Sequence, residues 1–411
     1  MVNKKLLIIG YVWPEPKSSA AGKRMLQLIE VFLSDNYDVV FASPCAKTDH
    51  AFNLNTIGVT QETIILNSSS FDTFVKALQP DVVMFDRFMM EEQFGWRVAE
   101  QCPNALRILD TEDLHFLRKG RHQALKDKNE FNAFYLYNDI AKREIASIYR
   151  CDLSLIISKY EIEILKHDFK VDASLLVYLP FMIDKIKDAA FNKLPNYKAR
   201  KDFITIGNFL HAPNYNAVLY LKDTIWPLIR KELPEAQLHI YGAYVSEKVQ
   251  QLHNKAQGFL IQGFAEDVHQ VMQHAKVCLA PVRFGAGLKG KLVDALQNGT
   301  PSITTTIGAE GMIALINACG YIADTPEAFA KKAVRLYTNA SLWNEKSMNT
   351  YQVINQHFNK EVHESSLIEA IENCIASLDE KRQHNFIGQM LRHHTLQSTK
   401  YMSKWIEEKH K

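Results

Sequence analysis

The six cysteines, at positions 45, 102, 151, 278, 319 and 374, contain no CxxC pair. That scatter argues against a zinc site or a disulfide framework. Cys278 inside an apolar run and Cys374 on the apolar side of a helical stretch read as buried, reduced thiols. Long apolar runs are missing too. The N-terminus passes from Lys4-Lys5 directly into Leu6–Gly10, a strand's length and far short of a signal-peptide core or a membrane span. A cytoplasmic protein is the expectation. Excess charge of one sign is absent, with 48 Lys and Arg against 46 Asp and Glu, a formal net charge of +2. Basic residues do not dominate as they do in nucleic-acid-binding proteins, so nucleic acid is not an expected partner. What is present is apolar material: 411 residues, 47% hydrophobic, exceed one ordinary domain and suffice for two cores.

Short apolar runs alternate with amphipathic stretches. Strands are predicted at 6–10, 39–42, 63–66, 82–85, 106–109, 153–157 and 175–178, separated by helices at 25–33, 71–78, 91–101, 129–149 and 160–167. Such alternation calls for a parallel sheet covered on both faces. Between Asp184 and Asp202 the pattern fails: the segment is charged, carries Pro195 and has no sustained period. It then restarts, with strands at 203–207, 237–242, 259–261, 277–282 and 302–305. Helices are predicted at 215–231 with a bend at Pro227, at 245–255, 267–274 and 291–298, and from 327 onward. The expected fold is α/β: two Rossmann-like, doubly wound parallel-sheet domains facing a central cleft. Residues 1–182 form the first domain, 183–202 the linker, 203–380 the second domain, and 381–411 a helical segment packing back on the first. Ligands of such sheets bind at the carboxyl ends of the strands, here in the cleft.

The most informative stretch is Arg283–Leu296, RFGAGLKGKLVDAL, between the strand at 277–282 and a helix closed by Gly299 and Pro301. Three glycines and three cations on a strand-to-helix turn suit phosphate. Glycines let the backbone approach, free N–H groups point outward, and the helix dipole favours negative charge. Gly285-x-Gly287-x-x-Gly290, with Glu310 further on, formally matches a dinucleotide fingerprint. It lies in the fourth βα unit of its domain instead of the first, however, and lysines at 289 and 291 are foreign to that fingerprint. Gly285-x4-Gly290-Lys291 is a near match to a nucleoside-triphosphatase P-loop, but Leu292 replaces the hydroxyl that holds magnesium.

A third pattern spans the whole architecture. Residues 203–312, containing FITIGNFLHAPN, LHIYGAY, IQGFAEDV and LAPVRFGAGLKGKLVDALQNGTPSITTTIGAEGM, resemble the donor half of GT-B glycosyltransferases, retaining family 4 in particular. Trp13–Gly22 resembles the glycine-bearing first loop of the acceptor half, and Leu109–His115 the segment carrying the active-site His. The resemblance implies a donor diphosphate held by Gly285, Gly287, Leu288, Lys289 and Lys291, with Asp294 on the donor ribose and Gly299-Thr300-Pro301 ending the motif. It sets His115 at the transferred sugar or the acceptor proton, Gly22 near the donor phosphate and Glu310 on the donor from the next loop. Phe264 either stacks on the base or packs in a core. Two departures stand out. The family's Glu-x7-Glu pair falls on Ala286 and Asp294, so the carboxylate that contacts the sugar is missing. The family's Arg and Lys after the first donor-half strand are replaced by Asn208, His211 and Asn214, leaving Arg283, Lys289 or Lys291 to supply positive charge.

The implied reaction moves a sugar from a nucleoside diphosphate sugar to a glycan or lipid-linked acceptor, with retention. The leaving group is a diphosphate, so the main catalytic task is stabilising the charge that develops as the glycosidic C–O bond breaks, with Lys289 placed for it. Lysines and a helix dipole are present and no DxD motif or His cluster is, so neither metal nor cofactor is expected. An inactive nucleotide-sugar-binding or scaffolding protein of the same fold is the competing reading, motivated by Ala286. A dehydrogenase would bind NAD at Gly285–Gly290. The basic C-terminus, Arg392 to Lys400 and Lys404 to Lys411, carries Tyr401, Met402, Trp405 and Ile406. It offers either a peripheral contact with the inner face of an anionic membrane or a helix docked on the first domain.

Overall fold

A computed structural model describes residues 3–410, the side chains of 394–397 aside. Two parallel sheets organise it. The first holds β1 (Lys5–Ile9), β2 (Asp38–Ser43), β3 (Thr60–Thr63), β4 (Val82–Asp86), β5 (Leu106–Asp110), β6 (Leu153–Ile156) and β7 (Leu176–Tyr178), in the order β3-β2-β1-β4-β5-β6-β7. The second holds β8 (Lys201–Ile206), β9 (Leu238–Tyr241), β10 (Phe259–Gly263), β11 (Ala275–Ala280), β12 (Ser302–Thr304) and β13 (Gly320–Ile322), in the order β10-β9-β8-β11-β12-β13. Strand β1 shows why its run is apolar throughout. Leu7 and Ile9 pack on one face with Phe85 and Phe94, while Leu6 and Ile8 pack on the other with Leu28 and Phe32.

Strand order reverses in each sheet between its first and fourth strands, β1/β4 and β8/β11. At such a switch point the connections leave in opposite directions and open a crevice at the carboxyl ends. The loops after these four strands therefore meet in the space between the domains, which is the GT-B arrangement.

Local boundaries differ from expectation where capping decides them. The helix expected over 129–149 is two helices, Ala133–Leu136 and Asp139–Arg150, because the Asn138 side chain accepts from the Ile140 and Ala141 N–H groups and starts the second. The helix expected over 245–255 is reduced to Glu247–Gln250. Pro227 does not end its helix. Ala212–Tyr220 passes through a wider π segment, Leu221–Ile225, into Trp226–Glu232, which relieves the proline ring and its missing N–H. The short β13 and the polar helix His115–Lys126 have no counterpart among the predicted elements.

Two chain crossings join the domains side by side. Ile183 donates its N–H to the Phe358 carbonyl at 2.7 Å, and Lys360 donates to the Ile183 carbonyl at 2.9 Å. The return to the first domain thus begins at Lys360, earlier than the expected 381. Leu367, Ile371 and Cys374 of helix Lys360–Ala376, spaced to share one face, are fully buried in the first domain's core. Strand β8 likewise begins inside the stretch read as linker. The final helix, Phe386–Lys409, also lies on the first domain. Asn385 donates to the Tyr149 carbonyl at 2.8 Å, and Arg97 pairs with Glu407 at 2.5 Å. Tyr401, Met402 and Trp405 stay exposed. The His394 side chain and Lys411 of the basic stretch lie outside the described residues. All six cysteines are free thiols. Among the described residues, no helix is long and apolar enough to cross a membrane.

Candidate functional site

The loop after β11 runs from Pro281 to Lys289 and starts helix Gly290–Gln297. Gly287 has φ +63°, and its N–H donates to the Glu161 carboxylate of the first domain at 2.8 Å. A Cβ there would also stand 3.0 Å from the Asp113 Cβ. Gly290 is excluded from bearing a side chain by proximity, since its Cβ would lie 2.6 Å from that of Ala20. Ala20 begins helix Ala20–Ser34, so two helix starts meet across the cleft, capped by Ser19 and Lys289. The cleft holds about 1380 Å³, more than a single small ligand requires.

On the donor side, the Lys289 ammonium folds back onto the carbonyls of Gly287 (2.7 Å) and Ala286 (3.2 Å). The Lys291 ammonium donates to Asn214 Oδ1 at 2.9 Å. Burial brings both lysines down to about 8; Arg121 lowers Lys289 further while Glu310 and Glu161 oppose the shift. Asp294, in the second turn of the helix, accepts from Lys23 of the first domain at 2.9 Å. Leu288 is buried with Ile157, Phe181 and Ile183, sealing the cleft's floor. The loop after β8 is shaped by Asn208. Its side chain accepts from the Leu210 N–H, and its carbonyl accepts from Asn214 Nδ2. His211 opens onto the cleft; the enclosing walls, and then Arg118, hold its pKa below the ordinary histidine value.

The first domain contributes the opposite wall. Gly22 lies under the backbone of Glu15, where a Cβ would come within 2.4 Å. His115 Nε2 is 3.3 Å from Asp113 Oδ1, and the ring meets Phe88 edge-on. Burial, Arg118 and Arg87 outweigh Asp113 and lower the His115 pKa to about 3, so the imidazole is neutral. Arg118 grips Asp113 with two hydrogen bonds and holds that carboxyl below its usual range against the effect of burial. Behind them Glu161 accepts from both the Leu114 and Gly287 N–H groups, and burial raises it to about 7.

Of the residues expected here, Gly22, Asn208, His211, Gly285, Gly287, Leu288, Lys289, Lys291, Asp294 and His115 line one cleft. Three are placed elsewhere. Arg283 turns away to Asn216 Oδ1 (2.9 Å) and the Tyr220 ring. Phe264 stacks on His50 with centroids 4.7 Å apart. Glu310 is buried in a two-pronged pair with Arg121 of the first domain, 2.6 Å at each oxygen, and Arg121 also donates to the Gly285 carbonyl. Sequence reasoning did not single out Lys23, Arg87, Glu112, Arg118, Arg121 or Glu161. Position just after β4 and β5 is the one signal that points to Arg87 and Glu112.

This site sits in a stretch with known relatives: residues 200–339 match the family model described as glycosyl transferases group 1. The second domain belongs to that family. The group 1 domain carries the Gly285–Lys291 turn, and its partner domain completes a fold shared with solved structures. Sucrose-phosphate synthase from Thermosynechococcus elongatus superposes with a TM-score of 0.68 at 14% identity, covering 91% of this chain and 100% of that one. Anabaena HepE, solved with UDP and glucose, gives 0.63 at 13% identity, covering 90% and 100%. A Klebsiella pneumoniae protein described as an uncharacterized 44.6 kDa protein in the cps region is 24% identical over 245 residues, 57% of this chain and 60% of that relative's length.

Proposed function

We propose that this protein transfers a sugar from a nucleoside diphosphate sugar to a hydroxyl of a glycan or lipid-linked acceptor, with retention and with no metal or cofactor. The observation that carries the reading is the glycine turn after β11, with Lys289, Lys291 and Asp294 on the cleft wall facing Gly22. Free N–H groups at the helix start and the two ammonium groups stabilise the diphosphate as the glycosidic bond breaks, supplying charge that a divalent ion supplies elsewhere. Asp294 takes the ribose hydroxyls after releasing Lys23. Neutral His115 donates to or accepts from the transferred sugar without adding charge. UDP in the HepE structure makes a uridine donor the first to try. The protein then works in the cytoplasm, at the inner face of the membrane when the acceptor is lipid-linked.

Ala286 sustains a second reading, a protein that binds nucleotide sugars without turnover. Its methyl group packs with the first domain's core, where the family's carboxylate would otherwise point at the sugar. Incubating the protein with several nucleotide sugars, with and without acceptors, separates the two. Release of nucleoside diphosphate supports transfer. Binding of a donor that is never consumed supports the scaffold and removes the transferase reading.

A further inference from the structure

Two residues on the acceptor wall hold backbone conformations that side chains rarely tolerate. Arg87, directly after β4, has φ 73° and ψ 158°, a region reserved almost entirely for glycine. Glu112, two residues after β5, has φ 63° at the apex of a three-residue turn closed by the Asp113 N–H on the Thr111 carbonyl at 2.8 Å. The strain sites are linked, because the Arg87 N–H donates to the Asp110 carbonyl at 2.8 Å. Both side chains line the cleft at the carboxyl ends of adjacent strands. Such strain persists only where the surrounding structure enforces it, and it concentrates at functional positions.

The turn also abuts the donor loop. The Glu112 carbonyl lies 3.5 Å from where a Cβ on Gly287 would stand. No hydrogen bond to the Glu112 carboxylate is formed among the described residues, although it sits between the domains. Its charged surroundings are Asp110 and Asp86 at the ends of β5 and β4, Arg87 after β4, and Arg24 on helix Ala20–Ser34. The donor loop meets it with uncharged Gly287. Burial and the two aspartates raise its pKa well above the ordinary value, against the two arginines.

Resting on the transferase reading above, we propose that Glu112 is a catalytic residue that takes the proton of the attacking acceptor hydroxyl. The acceptor oxygen bonds to the anomeric carbon, and the bond from that carbon to the diphosphate oxygen breaks. The nucleoside diphosphate leaves with the electron pair, and the hydroxyl proton passes to the Glu112 carboxylate and then to water. An unpartnered carboxylate beside the donor glycines has the reach for this, and Arg87 supplies a positive charge to the acceptor oxygen's neighbourhood.

The test uses the full chain, a donor it consumes, and two variants. Glu112→Gln keeps the shape and removes the base; sugar transfer falls by about 100-fold or more, while nucleoside diphosphate binding by calorimetry stays unchanged. The acidic limb of the wild-type rate profile, displaced above the usual carboxylate range, disappears. Glu112→Gly relieves the backbone strain, so it melts at a higher temperature and still loses transfer. Transfer by Glu112→Gln at nearly the wild-type rate with the acidic limb intact overturns the proposal, as does a parallel loss of donor binding, which marks a structural role. A wild-type protein that binds donor but consumes none with any acceptor brings down the transferase reading itself, and this one with it.

Discussion

Lys23 of the first domain holds the Asp294 carboxylate of the second at 2.9 Å, bridging the cleft at the place where a ribose is proposed to bind. Both side chains are partly open to solvent, 27% and 18% exposed, so the pair is screened and worth no more than about 1 kcal/mol. A ribose offering two hydroxyls to the same carboxylate competes with it on nearly equal terms.

Replacing Asp294 with Ala is therefore expected to weaken nucleoside diphosphate binding by roughly tenfold or more, the worth of hydrogen bonds to a charged group. Lys23→Ala shifts it by less than about tenfold. Isothermal titration calorimetry on both variants checks this. Asp294→Ala binding like the wild type removes the ribose role.

Donor affinity should also depend on pH through the lysines. Lys291 and Lys289 are both lowered to about 8, so each loses its charge earlier than an ordinary lysine as pH rises. Nucleoside diphosphate binding is strongest below pH 8 and weakens as pH climbs through it. Lys291→Gln binds more weakly at neutral pH and shows a shallower decline, because one of the two titrating charges is gone. A decline as steep as the wild type's would show that Lys291 does not face the ligand.

Glu161 carries the opposite sign. Its folded-state pKa is raised from 4.5 to about 7, so below 4.5 it is neutral whether the chain is folded or not and contributes no penalty. As pH rises from 4.5 to 7 the unfolded chain ionises first and stability is lost, and above 7 the loss is complete. Glu161→Gln keeps an oxygen for the Leu114 and Gly287 N–H groups and removes the charge. Calorimetric melting at pH 8 should show it more stable than the wild type by roughly 1–3 kcal/mol. Near pH 4 the two should melt together.

Arg121 and Glu310 are 5% and 9% exposed at their side chains and join the domains. Arg121→Met leaves a buried carboxylate unpaired and strips the Gly285 carbonyl of its donor, a destabilisation of about 3–5 kcal/mol. Adding Glu310→Gln should recover part of the loss. A double-mutant cycle by denaturant titration measures the coupling, and additive effects would show that the pair does not act as a unit.

What the sequence reveals about this site is the part encoded locally. The turn at Gly285–Lys291 is legible because its glycines and lysines adjoin a strand and a helix in one continuous stretch. Its partners are not local. Arg121 and Glu310 are 189 residues apart and Lys23 and Asp294 271, and nothing in either segment names the other until two sheets have set their crevices face to face. Side-chain direction is similarly hidden. Arg283 has the right charge for a phosphate ligand, but Asn216 and Tyr220 on the neighbouring helix capture it. The fold is read more fully because β-strand alternation is a long-range repeat that survives boundary errors such as the one Asn138 introduces by capping a new helix. Helix Lys360–Ala376 belongs to the first domain because two chain crossings lie side by side at Ile183, a pairing that no periodicity anticipates.

The meeting of Gly290 with Ala20 has an electrostatic consequence of its own. Each opens a helix with no acidic residue in its first turn, and each helix start carries about half a positive charge. Empty, the two domains thus press like poles together at their point of nearest approach. An anion lodged between them turns that repulsion into a shared attraction, so the same contact that resists closing on water favours closing on a diphosphate.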